Sequence, residues 1–214
     1  MRIGEREREL IRSGLVAIAG CDEAGRGALA GPVVAAAVVL DYQSLPEGIA
    51  DSKQLSAAQR RRAADSIRRC AIASSLAAID SAIIDRDNIL NASLAAMNRA
   101  VASLGIRVGH VLVDGNRLPP ANGIPTEALV KGDSRALCIA AASILAKVER
   151  DAILARLADE YKGYGFELHK GYPTSGHLEA LRRLGPCPVH RRSYAPVREL
   201  LQDGLFGIDS ALRD

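Results

Sequence analysis

Residues 15–31 read LVAIAGCDEAGRGALAG. The apolar opening, from about Leu15 to Cys21, has the character of a buried strand and delivers Asp22 and Glu23 side by side ahead of a glycine-punctuated turn. Adjacent carboxylates at the end of a buried strand are costly to desolvate, and a bound cation is the natural compensation. Gly25 and Gly27 flank Arg26. Lacking Cβ atoms, they let a ligand approach the backbone amides, and the guanidinium suits phosphate. Cation, phosphate and bare backbone together point to phosphodiester chemistry. On a straight strand Glu23 faces away from Asp22, so its participation requires the strand to end or bulge there, which Gly25 permits.

Acids recur at the ends of other strand candidates. Residues 110–113 lead to Asp114-Gly115, and residues 127–130 lead to Lys131-Gly132-Asp133. Carboxylates at one edge of an α/β sheet converge in a crevice, the usual place for a ligand. Taken singly, Asp114-Gly115 is an ordinary turn pair, and Asp133 ahead of Ser134-Arg135 is an ordinary helix N-cap.

Between these acids the chain alternates strands and helices. A charged arm or short helix (1–13) precedes the first strand, and a second strand (32–40) pairs with it as a hairpin. Ser56 and Gln59 form a capping box that opens a helix to about Cys70, followed by a strand at 73–79. Apolar groups at Ile89, Leu90, Leu94, Met97 and Val101 predict a helix over 87–104, and a long alanine-rich helix runs from Ser134 toward Glu160. After the Gly163-Tyr164-Gly165 break come two short helices, 175–184 and 196–202.

At 214 residues the chain fits one catalytic domain with a small appendage. No run approaches the roughly twenty apolar residues of a membrane span. The opening MRIGEREREL is too charged for a signal peptide, so a cytoplasmic protein without a membrane anchor is expected. The cysteines, Cys21, Cys70, Cys138 and Cys187, form no Cys-x-x-Cys pair and read as reduced thiols. Cys187 and His190 with His169 and His177 have irregular spacing for zinc. A net charge of +3 is only mildly basic. Residues 161–194, however, hold six Lys or Arg against two Glu, with four of the five tyrosines. Such a segment either binds nucleic acid or is a solvated helical face over buried tyrosines.

Asp22-Glu23-Ala24-Gly25-Arg26-Gly27 resembles the signature of ribonuclease HII, which cuts the RNA strand of RNA-DNA hybrids. Asp51-Ser52-Lys53-Gln54-Leu55, Val113-Asp114-Gly115, Lys131-Gly132-Asp133, the run from Ala141 to Lys147, and His169-Lys170-Gly171-Tyr172-Pro173-Thr174 resemble that family's further motifs, in its order. The resemblance implies a ribonuclease H-like mixed sheet flanked by helices in an α/β fold. Residues 1–160 would form the catalytic body, 161–201 a helical substrate-groove appendage, and 202–214 a tail. It makes Asp22, Glu23, Asp114 and Asp133 the ligands of two Mg²⁺ or Mn²⁺ ions. It also puts Gly25, Arg26 and Gly27 at the ribose 2′-hydroxyl and Tyr172 against the sugar of an RNA-to-DNA junction, in a monomeric enzyme. Lys53, Ser143 and Lys147 are candidate phosphate contacts.

Other assignments fit less well. Ribonuclease HIII would carry an N-terminal substrate-binding domain, for which the 21 residues before Asp22 leave no room. A transposase or integrase of the same broad fold has no need of the Gly-Arg-Gly and Tyr172 elements. In a dinucleotide-binding oxidoreductase, Gly25 and Gly27 would be followed at a different spacing than Gly31. A noncatalytic hybrid-binding module would not need four acids. Near the end, Gln202-Asp203-Gly204-Leu205-Phe206 resembles the Gln-x-x-Leu-Phe peptide by which bacterial proteins bind the sliding clamp.

Overall fold

The computed structural model describes residues 4–49, 55–120 and 123–206. Five strands, β1 (Ile18–Ala24), β2 (Val33–Leu40), β3 (Ala71–Ile79), β4 (His110–Asp114) and β5 (Thr126–Leu129), form one mixed sheet in the order β3-β2-β1-β4-β5. β1, β2 and β3 are antiparallel neighbours, whereas β4 and β5 run parallel to β1. This is the expected α/β architecture of a mixed sheet flanked by helices.

Each face of the sheet carries its own core. On one lie α1 (Glu5–Arg12), α2 (Ala57–Cys70) and the long α5 (Leu137–Glu160), packed against Ile18, Val38 and Leu112. On the other, α3 (Ser81–Asp87) and α4 (Ile89–Ala102) cover Ala19, Cys21, Val111 and Val113. The alternation along β1 and β4 is what sends alternate residues to the two helical layers. The capping box of α2 forms as expected: the Ser56 hydroxyl accepts from Gln59 N and the Gln59 side chain accepts from Ser56 N. The helix expected over 87–104 is α4, capped by the Asn88 side chain at a φ of 64°, and the short α3 ahead of it was not expected.

The N-terminal arm is docked. Arg6 forms a fork on Glu127 of β5, and buried Glu7 accepts from the backbone N of Cys138 at 3.2 Å. Glu7 thereby caps α5, whose own N-cap residue Ala136 offers no side chain for the task.

The remaining helices are α6 (Phe166–His169), α7 (Ser175–Leu184) and α8 (Ala195–Phe206). α8 reaches Phe206, so Gln202 to Phe206 lie in its last turn. Among the described residues, all four cysteines are free thiols, and no helix is long and apolar enough to cross a membrane.

Candidate active site

β1 begins and ends three residues later than the sequence indicates, and Asp22 and Glu23 lie within it. Its pairing with β2 is unbroken from Ala19↔Val39 to Ala24↔Val34, so the expected end or bulge at Glu23 does not occur. Glu23 leaves on the α4 face and Asp22 on the α5 face. β4, however, stops at Asp114, beside Asp22, since Cys21 pairs with Val113. Beyond that strand end Glu23 has no strand beside it on the β4 side, and it lines a small crevice with Arg26, Asp114 and Met97 of α4. A shorter neighbour thus does what a bulge would have done.

Asp133 sits in a single 3-10 turn (Gly132–Ser134) after β5. It is not the N-cap of α5, a place taken by Ala136. The turn is tied to β4 by Gly132 N, which donates to Asp114 Oδ1 at 2.6 Å. Asp22 is 7% exposed, and its Oδ1 accepts from Glu23 N at 2.7 Å.

The electrostatics link all four acids. Burial first, then the charges of Glu23 and Asp114, push Asp22 well above the usual carboxylate range; the Ser143 hydroxyl, donating to it, pulls the other way. Burial also raises Glu23, opposed by Arg26 at 3.2 Å, with Asp114 adding to the rise. Asp114 is raised by burial and further by Asp133, against the hydrogen bond from Gly132. Asp22, Glu23 and Asp114 are thus coupled to one another and Asp133 to Asp114, beside a crevice lined by Arg26 and Arg117.

Gly25, at φ 99°, opens the turn that follows. A Cβ there would lie 1.9 Å from Nε of Arg150. Arg150 and Arg191 are both fully buried, and neither was singled out by the sequence. Arg191 Nη1 and the Tyr194 hydroxyl donate to the carbonyl of Arg26 at 2.9 and 2.6 Å. The one available signal for Arg150 was its place in a stripe of α5, Ser143, Lys147, Arg150 and Leu154, which share a helical face. Lys147 pairs with Asp151 at 2.6 Å and lies 5.6 Å from the centre of the Tyr172 ring. Ser143, expected at a phosphate, is turned to Asp22 and donates its hydroxyl to that carboxylate. Lys53 lies outside the described residues.

In the basic, aromatic segment 161–194 the histidine and phenylalanine rings form an interior cluster, while Lys162, Arg182, Arg183 and Arg192 stay exposed. Phe166, His177 and His190 are buried and Tyr164 nearly so. His177 Nε2 stands 3.1 Å from His190 Nε2, and His177 Nδ1 is 3.0 Å from the Tyr172 carbonyl. His190 Nδ1 accepts from Cys187 N at 3.0 Å. A consistent proton arrangement has Nε2–H of His190 donating to Nε2 of His177, and Nδ1–H of His177 donating to Tyr172. Both rings are then neutral. Among the described residues no group of three His, Cys, Asp or Glu side chains is already arranged to hold a metal ion, neither Cys187 with the histidines nor the acids of the sheet edge.

Burial, then the neighbouring His177, pulls His190 down to about 4. The unfolded chain takes up this proton below about 6.5 while the folded protein does not, so the stability it carries is complete above that pH and is lost as pH falls toward 4. The loss at full extent is on the order of 3 kcal/mol. Urea unfolding at pH 7.5 and pH 5 should show His190→Gln losing less stability over this interval than the parent protein. An equal loss in both would assign the acid sensitivity to other groups.

The profile of the family Ribonuclease HII matches residues 19–197. Ribonuclease HII of Maricaulis maris is 54% identical over 187 residues, 87% of this chain and 85% of that protein. The crystal structure of ribonuclease H2 from Pyrococcus horikoshii OT3 superposes with a TM-score of 0.71 at 26% identity, covering 87% of this chain and 97% of that one. The RNase HII of Archaeoglobus fulgidus, solved in complex with PCNA, gives a TM-score of 0.69 at 27% identity over 85% of this chain and 96% of its own. Matched along nearly all of its sheet and acid-bearing turns, the chain belongs to the ribonuclease HII family and is a ribonuclease H endonuclease.

Proposed function

We propose that this enzyme cuts the RNA strand of RNA-DNA hybrids and also cuts at single ribonucleotides embedded in duplex DNA, leaving 3′-hydroxyl and 5′-phosphate ends in the course of ribonucleotide removal and RNA primer processing. Two divalent cations, Mg²⁺ or Mn²⁺, would be held by Asp22, Glu23, Asp114 and Asp133. The observation that carries this reading is the mutual charge coupling of these acids at one sheet edge. All-oxygen donors of this kind suit hard divalent ions. The acids are gathered but not preset for coordination: Glu23 is engaged by Arg26, and Asp114 by Gly132.

When bound, such ions activate water and stabilise the charge that grows on the phosphate and its leaving oxygen. The chain's own groups orient and select. The Ser143 hydroxyl and Glu23 N fix the Asp22 carboxylate. Arg26, its side chain half exposed, is available to a phosphate. Gly25 and Gly27 let a ribose approach the turn, where a 2′-hydroxyl can be told from hydrogen. Tyr172, held from below by Lys147 and Arg150, offers its ring to the sugar.

The test is a DNA duplex containing one ribonucleotide, incubated with each metal and with chelator. Cleavage beside the ribonucleotide with Mg²⁺ or Mn²⁺, a 3′-hydroxyl product, and silence with chelator are expected. Cleavage unaffected by chelator would remove the two-ion assignment.

A contact with a sliding clamp is a second reading, favoured by the Archaeoglobus relative's complex with PCNA. In this chain it would use Gln202 to Phe206, and a peptide of residues 199–209 that fails to bind purified clamp would end it.

A further inference from the structure

Three segments meet at one buried side chain. Arg150 is fully buried, and all of its hydrogen bonds go to backbone carbonyls: Nε to Pro32 at 3.0 Å, Nη2 to Ala30 at 3.0 Å and Nη1 to Lys170 at 2.9 Å. The first two carbonyls belong to the exit of the Gly25–Gly27 turn. The third belongs to the segment that leads into Tyr172. Arg150 also lies 5.3 Å from the centre of the Tyr172 ring, and Gly25 is packed so closely on its Nε that no Cβ fits between them. A rigid guanidinium fork suits this duty, whereas a lysine has one nitrogen on a flexible stem.

The segment before Tyr172 needs such a hold. Lys170 takes a left-handed φ of 52°, a conformation a lysine adopts at a cost of about 1 kcal/mol or more. Its carbonyl is the one that Arg150 binds. Gly171, next in the chain, accepts from Leu29 N at 2.8 Å, so the two segments are also joined by backbone.

A second arginine supports the same turn from the C-terminal side. Arg191 donates through Nε and Nη2 to the Gly31 carbonyl at 3.1 and 3.0 Å and through Nη1 to the Arg26 carbonyl. Tyr194 shares that last acceptor and receives Arg191 Nη1 at 3.0 Å. Asp85 of α3 holds the connecting loop by accepting from Arg192 N and Ser193 N, both at 2.9 Å.

Burying a guanidinium costs free energy, and a sequence whose only need was packing would put an apolar residue at such a place. What the two arginines do that apolar residues would not is fix the direction of five carbonyls around a solvent-facing turn. We propose that Arg150 and Arg191 are positioning residues for ribose selection: they hold the Gly25–Gly27 amides and the Tyr172 ring at the spacing a ribose, and not a deoxyribose, satisfies. The inference rests on the reading of that turn and Tyr172 as the ribose contacts.

The experiment compares binding of two fluorescent duplexes, identical except that one carries a single ribonucleotide, to the parent protein, Arg150→Lys, Arg191→Lys and Tyr194→Phe, with thermal melts alongside. Tyr194→Phe removes one hydroxyl from the Arg26 carbonyl and keeps the ring, so it is the variant that folds in any case. The ribonucleotide-over-DNA ratio of Kd should fall about threefold in Tyr194→Phe and about tenfold in Arg150→Lys, while Kd for the all-DNA duplex stays within about twofold. On the ribonucleotide duplex, kcat should drop more than KM rises. If both lysine variants fail to fold, Tyr194→Phe decides. A ratio unchanged in every folded variant, or affinity for both duplexes lost in parallel, overturns the proposal. A parent protein with no preference for the ribonucleotide duplex would overturn the reading of the turn itself.

Discussion

Asp22→Asn should lower kcat on a single-ribonucleotide duplex by at least about 1000-fold, equivalent to about 4 kcal/mol of transition-state stabilisation, with little change in Kd for the same duplex. The asymmetry follows from where Asp22 sits. It is buried beneath the sheet edge, bonded by Ser143 and by the amide of Glu23, and stands next to the carboxylate-bearing end of β4. Asn has the same shape and can keep the hydroxyl bond, but it removes the charge that binds a divalent ion. The surfaces that meet phosphate, Arg26 and the face around Lys147, are untouched. Measured without divalent ions, the variant should also melt at or above the parent temperature, because one of several mutually repelling buried carboxylates is gone. A variant that cleaves at the parent rate, or that loses duplex affinity in step with kcat, would take Asp22 out of the metal site.

The same logic explains why the acids carry their strain unrelieved in the protein alone. The proposed two-dication site needs negative charge in excess, and the fold offers it at four residues: two of β1, the last of β4 and one in the turn after β5. The sheet sets the spacing. Because β1 and β4 are parallel and β4 ends beside Asp22, Asp22 and Asp114 come from adjacent positions on neighbouring strands, as topological switch points in α/β sheets favour. Two cations, Arg26 and Arg117, line the crevice, and the exposure of Arg26 at Glu23 leaves it exchangeable.

Much of this was legible in the sequence because the signals are local. Apolar runs broken by acids and glycines marked β1, β4 and β5, and the capping box at Ser56 and Gln59 marked α2. What escaped was set by distant partners. The reach of Glu23 depends on β4 being shorter than β1, which no local pattern at Glu23 encodes. The short α3 was missed because Asn88 separates it from α4 by adopting a positive φ, an option that asparagine permits but does not announce. Arg150 and Arg191 read as solvated charges in an arginine-rich chain, and only the carbonyls brought to them by residues 26–32 and 170 reveal their place. His177 and His190 likewise satisfy one another in the interior, while Lys162, Arg182, Arg183 and Arg192 of the same segment stay at the surface.

Gly20→Ala should be the most damaging of small substitutions outside the acids. Gly20 lies mid-strand on the α5 face of β1, and a Cβ there would fall 2.1 Å from the carbonyl carbon of Cys138 and 2.3 Å from the nitrogen of Ile139. These are backbone atoms of the first turn of α5, so no side chain can swing aside and the start of α5 must lift. The cost is about 3 kcal/mol, or about 10 °C in Tm for a chain of this size. The damage should reach the chemistry through register. Asp22 lies two residues beyond Gly20, about 6.6 Å along a strand, and Ser143 lies four beyond Ile139, about 6 Å along a helix. The contact at Gly20 therefore sets the distance at which the Ser143 hydroxyl meets Asp22. A lift of about 1 Å should cost roughly 100-fold in kcat even at a temperature well below the new Tm. Gly176→Ala, in α7 with open space around it, is the matched control and should leave both Tm and kcat at parent values or raise Tm slightly. If Gly20→Ala instead melts within about 2 °C of the parent, α5 stands farther from β1 than these distances require, and Ser143 is not held on Asp22 by that contact.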